Sequence, residues 1–220
     1  MPNDLVVPAS SVVPKRSTLS FEQASGLMLT GTTAVHAIRV AHLRAGEAIL
    51  IHGASGGVGL IAVQLAVAAG ARVIAASSDS DHECLREFGA EPVTYGAGLL
   101  ERIRTLAPGG VEAALDTVGT DETIDTSVAL VAQRNRIVTL VAPERGLELG
   151  FSILGGYPGA DPGTEVRAAA RLELTRQAEA GKLHVLVSAT YPLAKAAAAH
   201  RALTTRHRLG KIVLVAEPVA

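Results

Sequence analysis

Short apolar runs and longer apolar stretches take turns along this chain, and that alternation is its main structural signal. The runs at 48–52 (AILIH), 72–76 (RVIAA), 111–116 (VEAALD), 136–141 (RIVTLV) and 211–215 (KIVLV) are rich in Val, Ile, Leu and Ala and predict strands. Further strands are predicted around 92–95, at 147–153 (LELGFSI) and at 183–188. Helices are predicted between them, over 57–69, 80–88, 98–106, 121–132, 164–180 and 193–205. An N-cap signal at Ser20 opens an earlier helix through ASGLMLTGTTAVHAIRVAHL. Residues 4–13 read as extended and broken by proline. Strands alternating with helices of about ten or more residues predict an α/β fold with a parallel, doubly wound sheet of the Rossmann type.

The run at 48–52 leads straight into Gly53-Ala54-Ser55-Gly56-Gly57-Val58-Gly59, and that turn opens an apolar helix. A helix N-terminus with bare backbone N–H groups suits the pyrophosphate of a dinucleotide. In the register of a dinucleotide turn, Ala54 stands where the first glycine usually is. Gly56 lets the backbone approach the phosphates, and Gly59 lets the helix close on the strand. Gly57 is expected to add freedom for a positive φ. The second strand ends in Ser77-Ser78 with no carboxylate at its tip, which favours NADP(H) over NAD(H). Asp79 and Asp81 follow closely and work against that preference, with only His82 and Arg86 as nearby cations.

Composition narrows the class. The chain has 220 residues, 48% hydrophobic, enough for a sizeable core, with only 3% aromatic residues and no Trp. A net charge of −1 gives no electrostatic case for nucleic acid or an anionic membrane as partner. No apolar stretch is long enough to span a bilayer, and no signal peptide is visible at the start, so a cytoplasmic setting is expected. Cys84 is the only cysteine, which leaves no intrachain disulfide and no cysteine-based zinc site. Of the seven histidines, the pairs His36/His42 and His200/His207 lack the spacing of a metal motif, and they read as surface or packing residues. Tyr191 and Lys195 match the Y-x-x-x-K spacing of short-chain dehydrogenases. Pro192 suits the first turn of a helix, which sets Tyr191 outside it, so they read as a corner residue and a surface lysine.

Several segments together resemble the medium-chain dehydrogenase/reductase superfamily: VVPASSVVPKRSTLSFEQASGLMLTGTTAVHAI, IHGASGGVGLIAVQLA, ALDTVG, SILGGYP, YPLAKAAAAHRAL and GKIVLV. The A-S-G-G-V-G turn is similar to that of the zinc-independent quinone oxidoreductase and enoyl reductase branch. The resemblance implies a GroES-like catalytic domain ahead of this region, which the chain enters near its end, around residues 4–14. The implied layout is a remnant of that domain with a linking helix (1–35), a Rossmann domain (36–188), and a helix and strand returning to the catalytic domain (189–220). It also implies an NADP(H)-dependent reductase of a quinone, enone or enoyl acceptor. The alternative is a module that holds NADP(H) without turnover, or the cofactor half of a two-chain enzyme.

By the same resemblance, Thr33 lies near the nicotinamide carboxamide, and Ala54, Ser55, Gly56, Gly57 and Val58 form the pyrophosphate turn. Ser77, Ser78 and His82 stand at the ribose-phosphate end, and Tyr95 borders the adenosine phosphate. Thr117, Val118, Leu140, Val141 and Ala142 contribute backbone contacts at strand ends, with Asp116 as a capping residue. No catalytic residue and no metal ligand is assigned. The resemblance further implies a homodimer joined through an edge strand at 147–153.

Overall fold

Ser20 begins the regular architecture of the protein, seen in a computed structural model that describes residues 6–205 and 209–216. The Ser20 hydroxyl accepts from Gln23 N, and Gln23 Oε1 accepts in return from Ser20 N. This reciprocal cap starts helix α1 (Phe21–Val40). Asp4, Leu5 and His207 of the sequence reading lie outside the described residues.

The chain then alternates as its pattern predicts: β1 (Ala48–His52), α2 (Gly57–Ala68), β2 (Arg72–Ser77), α3 (His82–Glu87), β3 (Glu91–Thr94) and α4 (Leu99–Leu106). It continues with β4 (Ala113–Asp116), α5 (Asp121–Leu130), β5 (Ile137–Thr139), α6 (Pro143–Leu149), β6 (Ser152–Ile153) and α7 (Thr164–Glu179). The six strands form one parallel sheet in the order β3-β2-β1-β4-β5-β6. The chain leaves β1 towards one edge and returns through β4 towards the other. The crevice at the carboxyl ends of β1 and β4 is therefore the topological switch point where such sheets bind ligands. The central strands are buried on both faces, which is why they read as unbroken apolar runs.

A second, two-stranded parallel sheet joins β7 (Val187–Pro192) to β8 (Lys211–Val215), with α8 (Ala196–Thr205) as the crossover. It reaches the main body at the glycine turn. Gly210 N donates to the Ser55 carbonyl at 2.8 Å, and Gly56 and Gly210 form an isolated parallel bridge.

Two predicted strands differ from the structure. The segment 147–153 is not one edge strand, because its first three residues end α6. Pro143 sets the first turn of that helix, and Gly150, at φ 75°, ends it in the left-handed region. Only Ser152 and Ile153 pair with β5. The segment 183–186 is not strand either. Gln64 of α2 accepts from His184 N and donates to the His184 carbonyl, so the ladder groups of that residue are already used. Pairing begins at Val187.

His36 is a packing residue: it is buried on α1, with Nε2 3.0 Å from Asp161 Oδ2. Gly163 N also donates to Asp161, and these two bonds hold the Asp161 carboxyl below its usual range. Among the described residues no group of three His, Cys, Asp or Glu side chains is placed to hold a metal ion, and no helix is long and apolar enough to cross a membrane.

Candidate dinucleotide site

The turn after β1 needs glycine at particular positions, for different reasons. Gly53 has φ 69°, and a Cβ there would overlap Thr117 Oγ1 and come within 2.9 Å of Val118 Cγ2. A Cβ on Gly59 would overlap the Gly53 carbonyl, so Gly59 lets α2 close on the strand end. Gly57 does not have the positive φ expected from the sequence. Its constraint is space, since a Cβ would lie 2.5 Å from Lys211 Cδ and 3.2 Å from Thr30 Cγ2. Gly56 is the helix N-cap, with ordinary extended angles and no side chain to cap the helix. The first-turn N–H groups of α2 therefore have neither an intrahelical partner nor a capping side chain.

Beside this turn lies a cavity of about 230 Å³ at the carboxyl ends of the strands. Of the residues expected from the sequence, Ser55, Ser77, Ser78, Tyr95 and Val118 line it. His52, Gly53, Ala76, Thr120, Glu122 and Thr123 line it too and were not anticipated.

The loop after β4 is organised by Asp116, which is fully buried. Its Oδ1 accepts from Val118 N, Gly119 N and Thr123 Oγ1, and its Oδ2 accepts from Thr139 Oγ1. Thr117 Oγ1 donates to the His52 carbonyl at 2.8 Å, tying that loop to β1. The expected capping role of Asp116 is what the geometry shows.

His52 sits beneath the cavity, buried. Ser127 Oγ donates to the Thr123 carbonyl and therefore accepts from His52 Nε2 at 3.1 Å. That fixes the proton on Nε2 and leaves Nδ1 as a buried acceptor without a partner. Burial pushes His52 down to about 4, partly opposed by the charge of Asp116, so the ring is neutral at pH 7.

The remaining expected residues do not line this cavity. Ala54 is fully buried, and its N–H donates to the Ala76 carbonyl, so it serves the core. Thr33 donates to the Leu29 carbonyl within α1, and it is Thr30 that α1 brings to the glycine turn. His82 does not line the cavity. It lies in a separate groove at the β3 edge with Thr94 and Arg102, its Nε2 buried and 3.8 Å from Asp79 Oδ1, too far for a hydrogen bond. Leu140 N donates to the Asp116 carbonyl, while Val141 N and Ala142 N donate to Thr139 Oγ1, beside the cavity rather than in it. At the β2 end the Ser78 hydroxyl donates to Asp81 Oδ2 at 2.8 Å, and Asp79 pairs with Thr94.

Lys211 is the main residue the sequence reading missed. Its side chain runs between Gly26 of α1 and Gly57 of α2, and at Gly57 a Cβ would overlap it. No described group pairs with its ammonium. A first helical turn with unused donors, a cation beside it, an open approach at Gly56 and a neighbouring cavity with an orphaned acceptor together fit a dinucleotide.

Comparison with known proteins points to a family. Residues 57–155 match the family described as zinc-binding dehydrogenase. A quinone oxidoreductase of Pseudomonas aeruginosa is 35% identical over 216 residues, covering 90% of this chain and 65% of that protein. The chain thus spans less than two thirds of that relative. The crystal structure of the CurK enoyl reductase superposes with a TM-score of 0.81 at 30% identity, over 96% of this chain and 67% of that one. A mycobacterial structure complexed with NADPH superposes with a TM-score of 0.79 at 28% identity, over 95% of this chain and 70% of the other.

Proposed function

The chain belongs to the medium-chain dehydrogenase/reductase superfamily, in the quinone oxidoreductase and enoyl reductase branch, and from that premise we propose that it is an NADP(H)-dependent reductase of a quinone, enone or enoyl thioester. The observation that carries the proposal is that three features lie along one glycine turn: the uncapped start of α2, the Lys211 side chain across Gly57, and, at Gly53 and Ser55, the cavity at the ends of β1, β2 and β4. When bound, the cofactor supplies a hydride from its nicotinamide ring to an electron-poor carbon of the acceptor.

The chain's own groups bind and orient. The first N–H groups of α2 and the Lys211 ammonium face the charge of the pyrophosphate. Gly56 keeps its approach open. Asp116 holds the loop at Val118 in a fixed shape before any ligand arrives.

The hydroxyls of Ser77 and Ser78, and the NADPH of the mycobacterial neighbour, support NADP(H) over NAD(H). The carboxylates of Asp79 and Asp81 oppose a 2′-phosphate and keep that preference small. The zinc-independent mode is part of the proposal, on the resemblance of the A-S-G-G-V-G turn. So is a homodimer: β6 is the last strand of the sheet, its outer edge partly taken by Asp161 of the same chain at Ile153 and Gly155, with Leu147 and Tyr157 exposed nearby.

The test is consumption of NADPH by the chain with a quinone, an enone and an enoyl thioester offered in turn. Turnover with one of them supports the proposal. Tight NADPH binding with no turnover on any class would leave a binding module instead.

A further inference from the structure

Glu122 stands in the first turn of α5 and lines the cavity beside Tyr95, Val118 and Thr120. Its Oε2 accepts from Gly96 N at 3.0 Å, which ties the loop after β3 to α5 across the cavity rim. No described group donates to its Oε1. The other unpaired polar atom established in the lining, His52 Nδ1, is also an acceptor. Among the described residues that line the cavity, Glu122 carries the only formal charge, and most of the surface they expose to it is apolar.

We infer that Glu122 reads the 6-amino group of adenine, so that the cavity takes an adenine dinucleotide and rejects a 6-oxopurine one. The inference rests on the dinucleotide reading above. With the pyrophosphate at α2 and the ribose at the β2 end, the base falls into this cavity. An adenine amino group donates to the free carboxylate oxygen. In hypoxanthine an oxygen replaces that amino group and the donor moves to the adjacent ring nitrogen, so acceptor faces acceptor. A site built for a donor discriminates strongly against an analogue that lacks it.

Glu122→Gln isolates this effect. The Gln oxygen can keep the bond from Gly96 N, while its amide nitrogen takes the place of the free oxygen and turns an acceptor into a donor. Melting temperature alone is uninformative here, because a first-turn carboxylate also stabilises α5.

The experiment is calorimetric titration of the whole chain with NADPH and with reduced nicotinamide hypoxanthine dinucleotide phosphate. The wild type is expected to bind the hypoxanthine form about tenfold more weakly. In Glu122→Gln the two affinities converge or invert. Equal affinities in the wild type overturn the inference without any variant, as does an unchanged ratio in a folded Glu122→Gln. Binding of neither compound overturns the dinucleotide reading itself, and this inference with it.

Discussion

Lys211 crosses the glycine turn at Gly57, so closely that a Cβ on Gly57 would come 2.5 Å from Lys211 Cδ and 3.6 Å from its Cε. The contact joins the C-terminal two-stranded sheet to the start of α2, and Gly210 N on the Ser55 carbonyl fixes its register. A cation is thereby held beside donors that the helix itself leaves unused. Lys211→Ala is expected to weaken NADPH binding about tenfold, roughly 1.4 kcal/mol, with the loss shrinking at high salt. Titration at two ionic strengths checks this. A salt-independent loss would point to packing instead of charge.

Gly56→Ala separates binding from folding. The position has φ −73° and ψ 171°, which alanine adopts freely, and the added Cβ would lie 3.3 Å from the Gly53 carbonyl. The fold is expected to survive with a small change in melting temperature, while NADPH binding is lost. A folded variant that binds normally would show that the phosphates lie elsewhere.

Asp81 is a lever on cofactor choice. Asp81→Asn keeps an oxygen for the Ser78 hydroxyl and removes a charge at the ribose end. NADPH affinity is expected to rise several-fold with NADH affinity unchanged. Parallel titrations with the two cofactors read the ratio, and a ratio that does not move would place the 2′-phosphate away from Asp81.

His52 makes stability depend on pH. Burial holds its folded value near 4, against an ordinary value of 6.5. As pH falls below about 6.5, the unfolded chain takes up a proton that the folded chain refuses until about pH 4. This contribution is therefore complete above that window and is lost progressively as pH drops through it. Urea midpoints of the wild type should fall more steeply over the window than those of His52→Gln. Parallel slopes would contradict the assignment.

The local signals in the sequence translated well into structure. The β1–turn–α2 unit, the alternation that gives the six-stranded sheet and the Ser20 cap each depend on residues close in the chain. What escaped depends on long-range contacts or on local competition. Nothing near Lys211 marks it, because its place follows from a pairing between Ser55 and Gly210. The strand pattern at 183–186 yielded to Gln64, more than a hundred residues earlier. The alternation at 147–149 lost to the helix set by Pro143 and Gly150, a pair of signals that was legible. The resemblance sets His82 at the ribose-phosphate end, but the turn at Asp79–Asp81 directs it to the β3 groove. Nothing in the sequence sets Glu122 apart from the other acids, and only the fold places it at the cavity.

Calorimetric titration of the whole chain with NADPH, and then with NADH, tests the central claim most directly. The account predicts saturable binding of NADPH at a single site, tighter than that of NADH by a small factor and weakened in Lys211→Ala. Absence of binding heat and of any thermal shift with both cofactors would contradict it, and would leave the glycine turn as architecture alone.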